Sequence, residues 1–538
     1  MSVLRLLRTA SYLKPQQIYG RVYYKLARPV PKLGSVPARR PLQGTWVAPV
    51  ERPISLLSPV QARYLGEDGD IAGPGAWNDT RREKLWLYNL HYFDDLNAAR
   101  ADERTAWHRA LIARWIDENP PGRGNGWEPY PTSLRIVNWI KWALRGHALE
   151  ARALESLAVQ TRWLQSHVEW HLLGNHLLAN AKALVFAGLF FDGAEAGQWL
   201  ARGLEIYRRE LGEQILADGG HFERSPMYHA IILEDLLDVL NAGRAFGRDP
   251  GLELADRIAR MRRWLRVMTL GDGRIAFFND AAFGIAAEPA ELEAYASRLG
   301  LAPAEAGSDA LTRLMPSGYV RLCASDAVVL SDVAPIGPDY LPGHAHADTL
   351  SFEMSLGAER LVVNGGTSRY GTGAERDFER STAAHSTVEI DGVSSSEVWS
   401  GFRVGRRARV RNIETGESGG ASRLSALHDG YAWRRGRPIH KRSWLLRDGQ
   451  LTVSDAIEGR METAVARFHL GAGVMARMDA DRRSGSLVLP SGRTARWATS
   501  QPGTLAASAW HPEFGRSVAT QQIAVPLAGG PLETVFGW

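Results

Sequence analysis

Cysteine is nearly absent from this chain. Cys323 is the only one in 538 residues, so no intrachain disulfide can form. That leaves the redox compartment open, because exported bacterial proteins often lack disulfides as well. Long apolar runs are missing too. No stretch approaches the length needed to cross a bilayer as a helix, so no transmembrane segment is expected. Early positive charge at Arg5 is followed by Arg8 and Lys14, which interrupt any apolar core, and no standard secretory signal is expected. There is no long Lys/Arg block. The net charge of +5 is spread over scattered residues, mostly arginine. This suits a polyanion such as an acidic polysaccharide, and nucleic acid is not expected as a partner. Phosphate-binding GxxxxGK[ST], dinucleotide-binding and GxSxG signatures are all absent. No obvious carboxylate pair is present for a glycosidase, so that chemistry would need acids assembled from distant positions. Histidine is scarce, at 15 residues, which gives weight to the places where it gathers.

The length exceeds one ordinary core and predicts more than one domain. Residues 1–75 are rich in proline and read as an arm, with one helix over 15–26. Residues 76–305 show apolar spacing of helical period over 106–116, 134–144, 154–167, 176–190, 197–216, 227–246 and 252–270. Successive helices of similar length suggest helical hairpins, arranged as a solenoid or a closed toroid. Eleven of the 18 tryptophans fall in this region. They are expected in the core, or as platforms for sugar rings along a groove. From about residue 311 short alternating runs take over, bounded by Gly, Asp and Ser. Residues 306–538 therefore read as a large antiparallel β-sandwich. The fold class is α+β multidomain, helices first and strands second.

Four constellations could carry chemistry. His344 and His346, two residues apart, would share one face if extended, with His385 about forty residues on and Asn364 between. Such a cluster can hold a metal or form a hydrogen-bonded set without one. Asn175 and His176 open a predicted helix, where Asn175 is an expected N-cap and the helix terminus favours a substrate carboxylate. Asp218 to His229 forms a polar loop running into a helix, with Tyr228 on its first turn as a proton-shuttle candidate and His229 beside it. His91, Trp127 and Arg135 lie in mixed aromatic and polar stretches that read as groove walls.

Taken in order, Gly174-Asn175-His176, Gly219-Gly220-His221-Phe222 with Tyr228-His229, His344-Ala345-His346-Ala347-Asp348, and Arg380-Ser381-Thr382 with His385 resemble the heparinase II/III group of polysaccharide lyases. The resemblance runs from Trp86 to the C-terminal strands. It implies an incomplete (α/α) toroid followed by a β-sandwich, with a site between them that performs β-elimination on a uronate-containing acidic polysaccharide. It further implies that Asn175 and His176 neutralise the uronate carboxylate, that Tyr228 and His344 move protons, and that Arg380 and His229 line the substrate. His346, Asn364 and His385 would hold a structural zinc. Periplasm or cell envelope is the location usual for such lyases. Two departures stand out: Asn364 occupies a position that is commonly Asp in the family, and Ala179 one that is often Glu. A non-catalytic polysaccharide-binding protein in exopolysaccharide assembly or export is the rival reading. The particular polymer, endo or exo action and the oligomeric state are not encoded in these motifs.

Overall fold

A computed structural model describes residues 3–27, 30–303, 309–528 and 530–538. The expected boundary between residues 305 and 306 lies outside the described residues. Twelve α-helices are present among the described residues: α1 (Val3–Ala10), α2 (Pro15–Leu26), α3 (Lys84–Tyr92), α4 (Thr105–Glu118), α5 (Pro129–Leu144), α6 (Ala151–Ser166), α7 (Gly174–Phe190), α8 (Ala194–Gln214), α9 (Pro226–Ala245), α10 (Leu254–Val267), α11 (Pro289–Arg298) and α12 (Ala374–Glu379).

Helices α5, α7 and α9 are buried on nearly every side. Those that alternate with them are amphipathic: α8 buries Ala196, Trp199, Gly203, Ile206, Tyr207 and Leu211, a stripe of helical period. Inner helices therefore alternate with outer ones, the packing of a toroid. Glycine lets α7 and α8 approach closely, since a Cβ at Gly203 would lie 2.8 Å from the Ala181 carbonyl oxygen. Buried charge ties the inner ring together. Lys182 on α7 reaches Asp235 and Asp238 on α9, each at 2.6 Å, and Lys141 on α5 also pairs with Asp238. The tryptophans of this region mostly pack the core: Trp77, Trp86, Trp115, Trp139, Trp142, Trp199 and Trp264 are fully buried.

The arm holds more structure than its prolines suggested. Besides α2 it contains α1 and a small sheet of Leu56–Ser58, Gln61–Tyr64 and Glu67–Asp70, too short and too charged to read from sequence. Trp86 of α3 packs edge-on against Tyr64 and donates from Nε1 to the Glu67 carbonyl at 3.1 Å, fixing that sheet to the toroid.

The strands that follow form a nine-stranded and an eight-stranded sheet, with every pairing antiparallel. Between them lies a core that includes Phe352, Trp444, Phe468 and Phe536. Strand Ile439–Arg447 shows the expected alternation, with His440, Arg442, Trp444 and Leu446 buried. Two of those residues are polar and share one carboxylate. Asp455 accepts from Arg442 Nε at 2.7 Å and Nη2 at 2.9 Å, and meets His440 Nε2 at 2.7 Å. Arg442 Nη1 donates onward to the carbonyls of Leu350 and Ser386, so this buried group ties the sandwich to the loops beside the site.

Burial alone would raise the Asp455 pKa, but Arg442 and His440 outweigh it and bring it to about 2. The folded value thus lies below the unfolded one of about 3.9. The stability this carboxylate contributes, roughly 2 kcal/mol, is fully present above about pH 4 and is lost as the pH falls toward 2. Urea midpoints measured down this range should drop steeply, and less steeply in Asp455→Asn, which starts lower. Parallel curves for the two proteins would refute the assignment.

Candidate active site

The site is assembled where the start of α7, the start of α9 and the first loops of the sandwich meet. The loop entering α7 turns through two left-handed residues, Leu173 (φ 65°) and Gly174 (φ 58°). A Cβ at Gly174 would lie 2.6 Å from Glu223 Oε1 and would also strike Leu341, so only glycine allows this approach. The helix begins at Gly174 and its cap position is Leu173, which makes no side-chain capping bond. Asn175 is thus not the N-cap expected from sequence. It sits inside the first turn and its amide is turned to Glu223, donating from Nδ2 at 3.1 and 3.2 Å. At the start of α9, by contrast, Ser225 is a true cap. Its Oγ accepts from the Tyr228 N–H at 3.2 Å and donates to the Asp280 carbonyl at 2.5 Å. One hydroxyl therefore sets Tyr228 against the segment that carries Asp280.

Asp280 organises the rest. It is fully buried, and its two oxygens meet His344 Nδ1 and His346 Nε2, each at 2.8 Å. Both histidines of the HxH pair thus address one carboxylate, although their segment is irregular rather than a strand. Arg376 of α12 makes a bidentate pair with the same carboxylate, one arm at 2.8 Å. Burial pushes the Asp280 pKa up, but Arg376 and the two histidine bonds outweigh it and hold the carboxyl well below its usual range. Because an ionised carboxylate only accepts, His344 carries its proton on Nδ1. Its Nε2 is left facing Asn175 Nδ2 at 3.4 Å and Glu223 Oε2 at 3.6 Å.

Tyr228 lies with its ring 3.9 Å from that of His344, centroid to centroid. Its hydroxyl shares a 2.9 Å hydrogen bond with the Tyr370 hydroxyl. Burial, followed by Tyr370, pushes its pKa well above 10, so the phenol keeps its proton at neutral pH. His176 is more open, with one third of its side chain exposed, and holds Glu169 Oε1 from Nδ1 at 3.2 Å. Burial works against a charge on His176. Glu169, with help from Glu223 and Glu128, outweighs it and raises the pKa above 6.5. Tyr130 stacks 4.4 Å from this imidazole, and Phe402, which is exposed, faces Tyr370 at 5.2 Å.

The remaining groove candidates lie elsewhere. His91, Trp127 and Arg135 are buried inside the toroid with their polar atoms spent on one another and on the backbone. His91 Nδ1 accepts from Trp115 Nε1 at 3.0 Å and its Nε2 donates to the Trp77 carbonyl at 3.0 Å. Trp127 donates to the Asn119 carbonyl at 3.1 Å, and Arg135 donates to Gln160, Gly126 and His91 while stacking on Trp115. His229 is likewise closed in, stacked on Trp264 and bonded to the Met261 carbonyl at 2.9 Å. Arg380 is buried and clamps the Ala345 carbonyl from Nε and Nη2 at 3.0 and 2.8 Å. These five place packing and loop support where the sequence suggested substrate contact, because each is sealed behind the walls it holds.

His346 and His385 do meet. His346 Nδ1 lies 3.0 Å from His385 Nε2. The other nitrogen of His385 faces the Ser381 carbonyl at 2.7 Å and must carry the proton, as must His346 Nε2 against Asp280. Two lone pairs therefore converge, a contact that needs a cation or an extra proton between the rings. Burial lowers the pKa of both, His346 to about 4, which disfavours the proton. Outer N–H groups bound to a carboxylate and a carbonyl are the usual support of metal-ligating imidazoles. Asn364 uses its amide N–H groups on Phe277 and Ser351 and accepts from the Ser386 N–H at 3.0 Å, leaving one lone pair on Oδ1. Among the described residues no group of three His, Cys, Asp or Glu side chains is set to hold a metal.

Sequence reasoning passed over Glu223, Asp280, Tyr370 and Arg376. Glu223 lies within the loop already singled out, but a lone carboxylate there carries no pattern. Asp280 follows Asn279 in a stretch without a motif, and only folding sets it under the histidines.

An inner and outer ring of helices followed by an antiparallel sandwich is a toroid-plus-sandwich architecture. A crystal structure of heparinase III superposes with a TM-score of 0.68 at 16% identity, covering 88% of this chain and 79% of that one. Residues 84–297 match the family model for the heparinase II/III N-terminus, and residues 307–538 that for the heparinase II/III-like C-terminal domain. The chain belongs to the heparinase II/III-like family. Among curated relatives, FtsZ-localized protein C of Caulobacter vibrioides is 31% identical over 407 residues, 72% of this chain and 66% of that protein. A heparin-sulfate lyase of Bacteroides stercoris is 26% identical over 242 residues, 40% of this chain and 36% of that protein. The chain thus spans less than two thirds of the length of either.

Proposed function

We propose that this protein is a polysaccharide lyase that cleaves an acidic, uronate-containing polysaccharide by β-elimination. The observation that carries this reading is the junction of Asn175, His176, Tyr228 and His344, with His344 oriented by Asp280. Elimination removes the proton on C5, breaks the bond from C4 to O4, forms a double bond between C4 and C5, and returns a proton to O4. The uronate carboxylate must first be neutralised so that negative charge can build at C5. His176, whose affinity for a proton is raised, supplies a cation. Asn175 supplies its second amide hydrogen, since the 3.4 Å contact with His344 is the weakest it makes. His344 Nε2, its partner nitrogen fixed on Asp280, accepts the C5 proton. The protonated Tyr228 phenol delivers a proton to O4. The experiment is absorbance of the unsaturated product on a panel of acidic polysaccharides. Binding without product on every member would favour the non-catalytic reading, which Ala179 supports.

In this reading His346 and His385 would hold a structural zinc, with the remaining lone pair of Asn364 Oδ1 as the proposed third donor. When bound it would neutralise the facing lone pairs and brace the loop behind His344. Metal analysis of the purified chain is expected to find about one zinc per molecule. Chelation should lower the thermal midpoint, by about 2–4 °C for each kcal/mol lost, and His385→Ala should abolish that sensitivity. A metal-free protein indifferent to chelators would remove zinc from the account.

A further inference from the structure

The arm carries a feature that the site does not use. Helices of water-soluble proteins bury their apolar stripe and show a polar face to water. Helices α1 and α2 do the reverse. Their polar sides are docked: Arg5 and Arg8 pair with Glu397 at 3.1 and 3.6 Å, Thr9 Oγ1 accepts from Trp399 Nε1 at 3.2 Å, and the buried Gln17 donates to the Tyr340 carbonyl at 3.1 Å. Their apolar sides face outward. Leu4 and Leu7 on α1, and Ile18, Val22, Tyr23 and Leu26 on α2, are each more than half exposed. The four on α2 follow helical spacing and form one stripe, with Arg21 and Lys25, also exposed, along its edge.

Charge identifies the occupant. Residues 1–50 contain nine Lys and Arg and no Asp or Glu. These nine exceed the net charge of the whole chain, +5, so the rest of the chain is net acidic. A second copy docked arm to arm would set like charges together, whereas the exposed stripe with Arg21 and Lys25 on its edge calls for an apolar surface bordered by negative charge. A bilayer with anionic headgroups offers both parts, an apolar layer for the stripe and negative charge for its edge. No described helix is long and apolar enough to span a membrane, so the arrangement is one that lies on the surface.

We propose that α1 and α2 form a docking surface for an anionic lipid bilayer. Tyr340, against which α2 is fixed, lies four residues before His344, so docking would hold the candidate site beside the membrane. The inference does not depend on the lyase reading, because none of these residues belongs to the site.

The test is flotation of the full-length protein with vesicles of phosphatidylcholine alone or mixed equally with phosphatidylglycerol. Co-flotation with the mixed vesicles is expected, weakened by high salt and weak on phosphatidylcholine alone. The double variant Leu7→Asp, Val22→Asp should lose on the order of tenfold or more in vesicle binding. It should keep its circular dichroism spectrum, because both side chains already face solvent. The proposal is overturned if the native protein fails to float, or if the variant floats equally well. It is also overturned if light scattering shows a native dimer that the variant breaks, which would make a second copy the occupant.

Discussion

Tyr228→Phe is expected to remove unsaturated product formation while leaving the fold and polysaccharide binding nearly intact. The substitution deletes one hydroxyl whose single protein partner is the Tyr370 hydroxyl, 2.9 Å away. The ring keeps its stacking on His344 and its place in the toroid core. Two protonated phenols stand here, and Tyr228 lies nearer His344, its ring at 3.9 Å against 5.9 Å for Tyr370. His344 has its Nδ1 proton engaged by Asp280, and Glu223 is engaged by Asn175. Loss of a positioned acid lowers kcat by about 10²–10⁴-fold. Because the phenol makes no contact that a ground-state carboxylate needs, KM should change little. Retained product absorbance in Tyr228→Phe would remove Tyr228 as the acid. Tyr370→Phe is the informative companion, since it deletes the neighbour and spares the acid, and a small effect there separates proton delivery from packing.

Asp280→Asn should have the second largest effect, and on two observables at once. The native carboxylate accepts from His344, His346 and Arg376, all of them donors. An amide has one oxygen and an NH2 group, so at least one donor would face another donor. His344 would lose its orienting partner, and kcat should fall on the order of 10²–10⁴-fold. Arg376 would be left as a buried cation without its anion, a loss of about 3–5 kcal/mol. A large drop in thermal midpoint should therefore accompany the drop in rate. Arg376→Gln distinguishes the two: it disturbs the same ion pair but leaves the bond from Asp280 to His344. If Asp280→Asn keeps both rate and stability, Asp280 is not the hub.

Much of the architecture was legible from local pattern. Apolar spacing of helical period located α4 through α10, and alternation located strands such as Ile439–Arg447 and Ala464–Leu470. These signals are strong because each element presents one face to a core, and that face is written along the chain. Helix α3 and the small sheet of the arm were not resolved as elements. The helix is short and apolar on most of its surface, and the strands are only three or four residues long with charged side chains. The boundaries of α7 illustrate a finer failure. Asn175 is the residue that capping statistics select, yet the cap falls two residues earlier, at Leu173, and the Asn175 amide is turned to Glu223 instead.

For the site, the sequence by itself determined the candidate groups: a Tyr on the first turn of α9, an Asn-His at the head of α7, and two histidines two residues apart. It also determined the family, since those motifs occur in order along a chain that is helical first and β-stranded later. Only the tertiary structure separated the surroundings of the two imidazoles. His344 and His346 are near-equivalent in sequence, and they part company because Asp280 takes Nδ1 of one and Nε2 of the other, leaving one free nitrogen toward Asn175 and one toward His385. It likewise withdrew His91, Trp127, Arg135, His229 and Arg380 from the substrate side, because composition records that a residue is polar or aromatic but not whether its partners lie behind a wall. The physical reason is the same in each case. Periodicity and capping are properties of neighbours along the chain, whereas a hydrogen-bond partner for a buried polar group comes from wherever the fold happens to bring one.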